Sequence, residues 1–453
     1  MKKRGSGLSR RGLLRGAGAG VALFTIVPRH VIGGAGKTAP SDKLNIAGVG
    51  AGGRGGGDIR AVSGTENIVA LCDVDDRRAA GNYKKFPKAK RFKDFRKMFD
   101  AMGDEIDAVT VGTPDHTHAV ICMEAIRRGK HVYCEKPLAH SVGELRKLRA
   151  AALKHKVITQ VGNQGHSSDR IRSLCEWVWD GAIGNVTEVH AACSAFKNVY
   201  CQIPKMEELK KTHDVPKELD WDLWLGPALQ RPYSPLYVPW NWRGWTPFGT
   251  GAIGDWICHV VDPAYWALGL DSPKTIQAET DGYDPVKHAD LYPSGVKVTF
   301  EFAAKGKRGP VKLFWYDGNR KIPHPPMLEE KRKVPGTGAI LIGDKGGISH
   351  GSHGAGGCRI IPDAKMKEYK QPDKTIPRVK GHHQDWLAAI KAGKQAGSPF
   401  EYGGALSEIA LLGMIAIRMG GRKLEWDTDK MRFTNCSEAN QYVDPPYRSG
   451  WKL

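Results

Sequence analysis

The chain has 453 residues and a formal net charge of +20, and this length is enough for two domains. Seven basic residues and no acidic residue lie in the first 36 positions, so the remaining chain has a net charge of +13. Its other Lys and Arg residues are mixed with acidic residues rather than gathered in a stripe with aromatic residues, which argues against a nucleic-acid partner.

The first 36 residues have the layout of an export signal. Basic residues come first, the sequence SRRGLL at residues 9–14 resembles a twin-arginine signal, and an apolar run follows at residues 16–27. That run is too short to span a bilayer, and no later segment is expected to span one. We therefore predict a twin-arginine leader over residues 1–36 and a periplasmic or otherwise exported protein.

Five short apolar runs then alternate with helical patterns. This alternation is typical of a doubly wound parallel sheet, and it predicts an α/β Rossmann domain at residues 42–165. The runs are LNIAGVG, NIVALCDVD, DAVTVGTP, HVYCEKP and VITQVGNQ. Helices are predicted at residues 54–63, 75–84, 93–101, 117–129 and 141–155.

The first apolar run ends in GVGAGG at residues 48–53, which matches the pattern G-x-G-x-x-G. In this pattern Gly48 permits a tight turn, Gly50 lets the backbone approach a pyrophosphate, and Gly53 lets the helix pack on the strand. The N–H groups at the start of the helix are free to bind phosphate. The motif therefore predicts a dinucleotide site.

An acidic residue, Asp73, ends the second apolar run at the spacing expected of the residue that binds the ribose hydroxyls. Its carboxylate would repel a 2′-phosphate, which favours NAD as the cofactor. The nearby Arg77 and Arg78 leave NADP as the alternative.

The fourth apolar run ends in CEKPLA. Charged side chains are rarely buried unless they are paired or functional, and the carboxyl ends of parallel strands face the ligand crevice. We therefore expect Lys136 to hold a substrate oxygen, and Glu135 to pair with Lys136 or to contact the nicotinamide side of the cofactor. A surface Lys–Glu pair before a turn is the alternative.

The remaining residues, 166–453, predict an α+β domain with a mostly antiparallel open sheet. Residues 221–245 are rich in Trp, which suits stacking on a sugar ring and equally suits packing in the core or in a dimer. Residues 343–357 are interpreted as a glycine-rich loop. Strands are predicted at NVTEVHAACSAF, KTIQAET, GVKVTFEFAA and VKLFWYDG, and late helices at residues 382–392 and 404–419.

The sequence GAIGDWICHVVDPAYW places Asp255 and His259 four residues apart, on one face of a helix. Histidine is well suited to accept a proton near neutral pH. Asp255 would bind a neighbouring hydroxyl group or raise the basicity of His259. A purely structural pair within an amphipathic helix is the alternative.

Taken together, these motifs resemble the Gfo/Idh/MocA oxidoreductases. The resemblance covers nearly all of the chain after the leader and rests on GVGAGG, TPDHTHA at residues 113–119, EKPLA at residues 135–139 and the D-x-x-x-H helix. The ending KLEWDTDKMRFTNCSEANQYVDPPYRSGW is also similar to members with export leaders. The resemblance implies a catalytic set of Lys136, Asp255 and His259.

The resemblance also implies that TPDHTHA and the residues after the last Rossmann strand line the cofactor cleft. Together with the glycine motif, this gives a predicted cofactor site consisting of Gly48, Gly50, Gly53, Arg54, Asp73, Thr113, Pro114, His116, His118, Glu135, Lys136, Asn163 and Gln164.

The family's chemistry implies hydride transfer between a sugar or polyol carbon and the nicotinamide, with His259 as base and Lys136 as its electrostatic partner. Outside the cytoplasm there is no replenished NAD pool, so we expect a tightly bound cofactor that is reset within the site. Reset by a second substrate and a redox-neutral glycosidase or lyase cycle through a keto-sugar both stay open. A non-catalytic sugar-binding protein is a third hypothesis, which the intact catalytic set argues against.

Three further expectations concern metals, cysteines and assembly. The spacing of His350, His353, His382 and His383 is poor for a metal, and we expect none. The nine cysteines include no C-x-x-C pair and several lie within apolar runs, so we expect buried, unpaired thiols. We expect a homodimer or homotetramer formed through the C-terminal sheet.

Overall fold

The structure, a computed structural model, describes residues 42–453, and the predicted leader lies outside the described residues. The first part is a six-stranded parallel sheet in the order β3-β2-β1-β4-β5-β6. Its strands are β1 Asn45–Val49, β2 Asn67–Cys72, β3 Lys90–Phe92, β4 Ala108–Val111, β5 His131–Cys134 and β6 Thr159–Val161. The helices between them are α1 Gly53–Val62, α2 Asp76–Lys85, α3 Phe95–Met102, α4 Asp115–Arg127 and α5 Val142–His155, with a 3₁₀ turn at Gly103–Glu105.

This sheet confirms the predicted doubly wound fold. The central strands β1, β4 and β5 are almost entirely buried, which is why they read as continuous apolar runs rather than alternating ones. Helix α5 begins at a capping box in which Ser141 and Glu144 bind each other's backbone N–H groups. Within this sheet, β3 is the one strand that the sequence did not predict. It lies at the sheet edge, where its Lys90 and Arg91 are exposed, and charged residues are common on edge strands.

The second part is built on a nine-stranded sheet in the order β13-β12-β11-β7-β10-β9-β8-β14-β15. Strands β7 and β10 pair in parallel and their neighbours pair antiparallel, which confirms the mostly antiparallel sheet. The strands are β7 Val186–Cys193, β8 Thr275–Asp281, β9 Gly295–Phe302, β10 Val311–Gly318, β11 Thr337–Gly343, β12 Gly346–Gly351, β13 Arg359–Ile361, β14 Leu424–Asp427 and β15 Arg432–Phe433.

Helices connect the strands of this sheet and pack against both parts of the protein. The α-helices are α6 Asp169–Trp179, α7 Lys197–Tyr200, α8 Trp221–Leu225, α9 Gly251–Val260, α10 Asp262–Leu268, α11 Ser352–Ala355, α12 Asp363–Glu368, α13 His382–Ala392 and α14 Phe400–Arg418. The 3₁₀ turns are Gln164–Ser167, Ile203–Lys210, Asn241–Gly244 and Ser437–Tyr442. Residues 44–453 form one compact unit, so both parts contribute to one cleft.

Helix α14 qualifies the expectation that no later segment could span a membrane. Within residues 42–453 it is the one helix that is long and apolar enough to do so, with 19 residues and a mean hydropathy of 1.4. It packs against α9 and α5, and 83% of its apolar window is buried inside the protein. Burial of that kind explains its composition as that of a core helix.

The prediction of a glycine-rich loop at residues 343–357 is wrong. Strand β12 runs through this segment and pairs with both β11 and β13. A Cβ atom on Gly347 would lie 2.8 Å from the carbonyl oxygen of Leu341 and from the sulfur of Met327. Gly347 lowers the strand propensity of this segment, which is why the sequence did not predict a strand, but the close packing of β12 requires a glycine here.

The cysteines agree with the sequence-based expectation. All nine are unpaired, eight are buried and Cys201 is partly exposed. They act as small apolar side chains of the core. The outer face of the nine-stranded sheet is partly covered by the chain's own residues, since Ile322 and Leu328 pack on Tyr316 and Ile340. Assembly through this sheet stays a prediction.

Candidate active site

A cleft of about 490 Å³ lies where the carboxyl ends of the parallel strands meet the second part of the protein. One wall contains the ends of β1, β2, β4 and β5, from Val49 to Lys136. The opposite wall is formed by α9 and by the segment around Trp240. This is the position in which ligands bind in open α/β sheets.

The glycine loop at the end of β1 has the shape that a dinucleotide needs. Gly50 has φ +85°, and a Cβ atom on it would lie 2.7 Å from the backbone of Gly112. Gly50, Gly52 and Gly53 all line the cleft, so their backbone is accessible to a ligand. The loop leads directly into the N-terminus of α1, and these features fit a bound pyrophosphate.

Two glycines exchange their expected roles. Gly48 lies within β1 rather than in the turn. A Cβ atom on it would lie 2.3 Å from Ile59, so a glycine at this position lets α1 pack on β1. Gly53 is not the packing position, since it has φ +51° and a Cβ atom would meet the Arg78 side chain within 4 Å. The positive φ explains the glycine at residue 53.

Asp73 lies at the end of β2 and lines the cleft, as expected. Its carboxylate accepts hydrogen bonds from the backbone N–H groups of Gly52 (3.0 Å) and Asp75 (2.9 Å). Burial raises its pKa to about 6. Arg77 is bound to Asp75 at 2.7 Å, whereas Arg78 lines the cleft, so Arg78 is the cation that bears on cofactor choice.

The TPDHTHA motif divides between cleft and core. Thr113, Pro114 and His118 line the cleft. His116 does not, because its two ring nitrogens lie 3.2 and 3.0 Å from the carbonyl oxygens of Phe248 and Trp224. Burial lowers the pKa of His116 to about 3. Its prediction as a cofactor residue is therefore wrong, and it joins the Rossmann part to the Trp-rich segment.

The two residues after β6 also separate. Gln164 lines the cleft and donates a hydrogen bond to Glu135 at 2.6 Å. Asn163 is fully buried and donates to Asp262 at 3.1 Å, so it lies outside the cleft, contrary to the prediction. Adjacent residues in a turn point in different directions, and the sequence did not separate them.

Glu135 lines the cleft but does not pair with Lys136. Its carboxylate binds the Arg54 guanidinium at 3.0 Å, and Arg54 also binds Asp58 at 2.9 Å. Burial raises the pKa of Glu135, with the nearby Asp58 acting in the same direction and Arg54 opposing it. Arg54 therefore binds two buried carboxyl groups, of which that of Glu135 lines the cleft.

Lys136 and Asp255 are in direct contact, although 119 residues separate them in the chain. The Lys136 ammonium forms an ion pair with the Asp255 carboxylate and donates to its carbonyl oxygen at 2.9 Å. Tyr200 donates to the same carboxylate, and Arg243 lies 3.2 Å from it. Burial would raise the pKa of Asp255, but Lys136 and Arg243 outweigh that effect and hold it well below its usual value.

His259 is buried beside this pair and lines the cleft. Its Nδ1 is buried and has no hydrogen-bond partner within residues 42–453, so Nε2 is the ring nitrogen that can contact a ligand in the cleft. Burial, followed by the charge of Lys136, holds the pKa of His259 well below 6.5. Of the two roles expected of Asp255, the structure shows contact with a neighbouring hydroxyl group, that of Tyr200. Its carboxylate is otherwise bound by Lys136 and Arg243 and forms no hydrogen bond with His259 within residues 42–453.

The ring of His353 stacks on His259 instead, with 4.1 Å between centroids. His353 lines the cleft from a turn in which its own φ is +54° and that of Ala355 is +60°. Such left-handed conformations are costly for residues other than glycine and cluster at functional sites. Ser168 fixes the turn by donating to the carbonyl oxygen of Gly354 at 2.7 Å.

Sequence reasoning missed Tyr200, Arg243 and His353 as site residues. The Trp-rich segment, which was singled out, belongs mainly to a core cluster that includes Trp221 and Trp245. Trp240 and Trp242 face the cleft. The sequence WNWR at residues 240–243 was therefore the detectable signal, with the arginine that follows the two tryptophans as its informative part.

A family model described as an oxidoreductase family with an NAD-binding Rossmann fold matches residues 44–163. The model of that family's C-terminal alpha/beta domain matches residues 170–308 and 340–453.

Similar curated proteins include a levoglucosan dehydrogenase of Pseudarthrobacter phenanthrenivorans, 26% identical over 200 residues that make up 44% of this chain. An inositol 2-dehydrogenase of Rubrobacter xylanophilus is 34% identical over 150 residues, or 32% of this chain. The chain spans 42% of the length of each of these two relatives.

A solved structure, the aldose-aldose oxidoreductase from Caulobacter crescentus complexed with glycerol, superposes with a TM-score of 0.57. It covers 85% of this chain and 100% of its own, at 17% identity. At that identity the likeness concerns the fold.

Proposed function

The chain belongs to the Gfo/Idh/MocA family of oxidoreductases, and from this premise we propose that it is an NAD-dependent enzyme that acts on a hydroxyl group of a sugar, polyol or glycoside. The observation that carries the proposal is the ion pair of Lys136 and Asp255 beside His259, in the same cleft as the glycine loop and Asp73. The names of the curated relatives, a levoglucosan and an inositol dehydrogenase, support the substrate class.

The chain's own residues fit the cofactor. The accessible backbone of residues 50–54 would hold the pyrophosphate, and the Asp73 carboxylate would accept from the ribose hydroxyls. Glu135 and Gln164 would border the nicotinamide end. When bound, the nicotinamide supplies the two-electron acceptor for oxidation of an alcohol carbon, or the donor for the reverse reaction.

Proton transfer falls to His259 and Lys136. His259 is neutral at physiological pH because its pKa lies well below 6.5, so its Nε2 can accept the proton of the substrate hydroxyl. The Lys136 ammonium stabilises the negative charge that develops on the substrate oxygen. Asp255 anchors that ammonium through its carboxylate and its backbone carbonyl.

A second candidate function is a redox-neutral cleavage that passes through a keto-sugar. His353 favours it, because a second imidazole in the cleft is available for the second proton transfer that elimination requires. A screen of sugars, polyols and glycosides separates the two. A lasting change in nicotinamide absorbance indicates oxidation, and a transient change with a cleaved glycoside indicates the redox-neutral cycle. A chain that accepts none of them contradicts both.

We expect Asp73→Ala to weaken NAD binding and to remove the preference for NAD over NADP. The physical reason is that the carboxylate accepts from the ribose hydroxyls and repels a 2′-phosphate. Calorimetric titration of both cofactors into wild type and variant measures this. Asp100→Ala is the matched control, because Asp100 pairs with Arg128 and does not line the cleft. Equal NADP binding by wild type would show that Arg78 controls the pocket.

We propose that the protein is exported in folded form by the twin-arginine route. The support is the sequence at residues 9–14. Replacement of Arg10 and Arg11 by Lys should leave the protein in the cytoplasm, as measured by cell fractionation. Replacement of Arg4 and Arg15 by Lys is the control, because it leaves the pair intact. Unchanged export of the first variant would remove the reason to expect a carried cofactor.

A further inference from the structure

The guanidinium group of Arg243 is held in place by two aromatic contacts and one hydrogen bond. Its central carbon lies 4.1 Å from the ring centroids of both Trp240 and Trp242. Its Nε donates to the Asp255 carboxylate at 3.2 Å. Two indole contacts and one charged hydrogen bond fix the plane of the group.

The terminal amino groups of Arg243 are available to a ligand. Within residues 42–453 Nε alone has a hydrogen-bond acceptor, and the two terminal nitrogens have none. The side chain lines the cleft and is 13% exposed. A guanidinium fixed in this way presents two parallel N–H donors, the geometry that matches the two oxygens of a carboxylate.

The charges around Arg243 do not balance. Lys136 and Arg243 share the single carboxylate of Asp255. Asp115 is the other carboxyl group near Arg243, but it accepts two hydrogen bonds from Thr250, and burial raises its pKa to about 7. Two fixed cations therefore contact one carboxylate, and an anionic ligand at Arg243 would supply a second counter-charge.

Arg243 also lies at the reacting end of the cleft. Its contact with Asp255 places it beside Lys136, whereas the backbone donors suited to the cofactor's phosphates lie at residues 50–54, on the opposite wall. An anion bound to Arg243 would thus belong to the substrate.

We infer that the substrate is an acidic sugar, a uronate or uronide, whose carboxylate is bound by the two terminal N–H groups of Arg243 while Lys136 holds the reacting oxygen. This inference rests on the proposed function and narrows it. The competing explanation is that Arg243 is a positioning residue for Asp255, which would affect every substrate equally.

The test compares matched sugars that differ in one group: D-glucuronate with D-glucose, D-galacturonate with D-galactose, and methyl glucuronide with methyl glucoside. Calorimetric binding and kcat/KM are measured for wild type, Arg243→Gln and Arg243→Lys. We expect wild type to favour the acidic member of at least one pair by about 10- to 100-fold, the typical effect of hydrogen bonds to a charged group. Arg243→Gln should remove that preference through KM, and Arg243→Lys should keep part of it.

Arg231→Gln is the matched control. Arg231 lies in the same segment, stacks on Phe248 at 5.2 Å and pairs with Asp290, but it does not line the cleft. Its removal should leave the preference for acidic sugars intact. If Arg243→Gln does not fold, the wild-type comparison of matched sugars still decides the question.

Four results would overturn the inference. Equal or tighter binding of the neutral sugars would do so while leaving the proposed oxidoreductase function in place. An equal fall in kcat for both members of a pair in Arg243→Gln would assign Arg243 to positioning Asp255. A preference for a sugar sulfate over the uronate would keep an anion site but replace the carboxylate. Binding of no sugar at all would overturn the inference and the proposed function together.

Discussion

We expect Lys136→Ala to lower kcat by about 10²- to 10⁴-fold while leaving NAD binding intact. The ammonium of Lys136 is fixed by the carboxylate and the carbonyl oxygen of Asp255, with its side chain 12% exposed. It is therefore already in place when charge develops on the substrate oxygen, and a fixed cation costs no reorganisation at that moment. Nicotinamide absorbance during turnover and calorimetric titration of NAD measure the two halves of the prediction.

Stability must be followed in the same variant. Removing Lys136 leaves the Asp255 carboxylate with Arg243 and Tyr200 as partners, and loss of one partner of a buried ion pair is destabilising. Lys136→Met, which fills the space of the lysine stem, separates lost charge from lost packing. A fall in kcat measured well below the variant's own melting temperature, where it is fully folded, supports the catalytic role. Wild-type turnover by either variant would contradict the assignment.

The Rossmann part could be predicted because its information is local. Buried parallel strands such as β4 and β5 are short apolar runs bounded by turn residues, and the helices between them carry their own caps. Strand β12 could not be predicted in this way, because its glycines are selected by close contact with β11. Close approach of two backbones is a property of the folded sheet and leaves little trace in strand propensity.

The site likewise has features that the sequence predicts and features that depend on the folded structure. Lys136, Asp255 and His259 could be identified because charged or titratable groups next to apolar runs are conspicuous, and a family resemblance supported them. The pairing of Lys136 with Asp255, rather than of Asp255 with His259, could not be predicted, since it depends on how α9 packs against the residues that follow β5. His116 was wrongly placed for a similar reason, because a motif position does not determine which face of a helix is enclosed.

We expect His259→Ala to lower kcat about as much as Lys136→Ala, by roughly 10²- to 10⁴-fold, and added imidazole to restore part of the rate. The stacked ring of His353 forms one wall of the space that the variant leaves, 4.1 Å from the centroid of the removed ring. An imidazole molecule could occupy that space and accept the proton there. A variant that retains wild-type turnover, or one that imidazole does not rescue in any degree, would argue against His259 as the base.

The pH profile of the wild-type enzyme tests the same assignment without a mutation. Burial, together with the neighbouring charge of Lys136, holds the pKa of His259 well below 6.5. The active, neutral form therefore persists as the pH falls through 6.5, and the acid limb of kcat should appear only at lower pH. Removing the positive charge in Lys136→Met eases protonation of the imidazole, so the acid limb of its residual activity should move to higher pH. A limb centred near 6.5 in the wild type, unmoved in Lys136→Met, would mean that a group other than His259 sets the profile, such as Asp73 with its pKa of about 6, and would contradict the assignment.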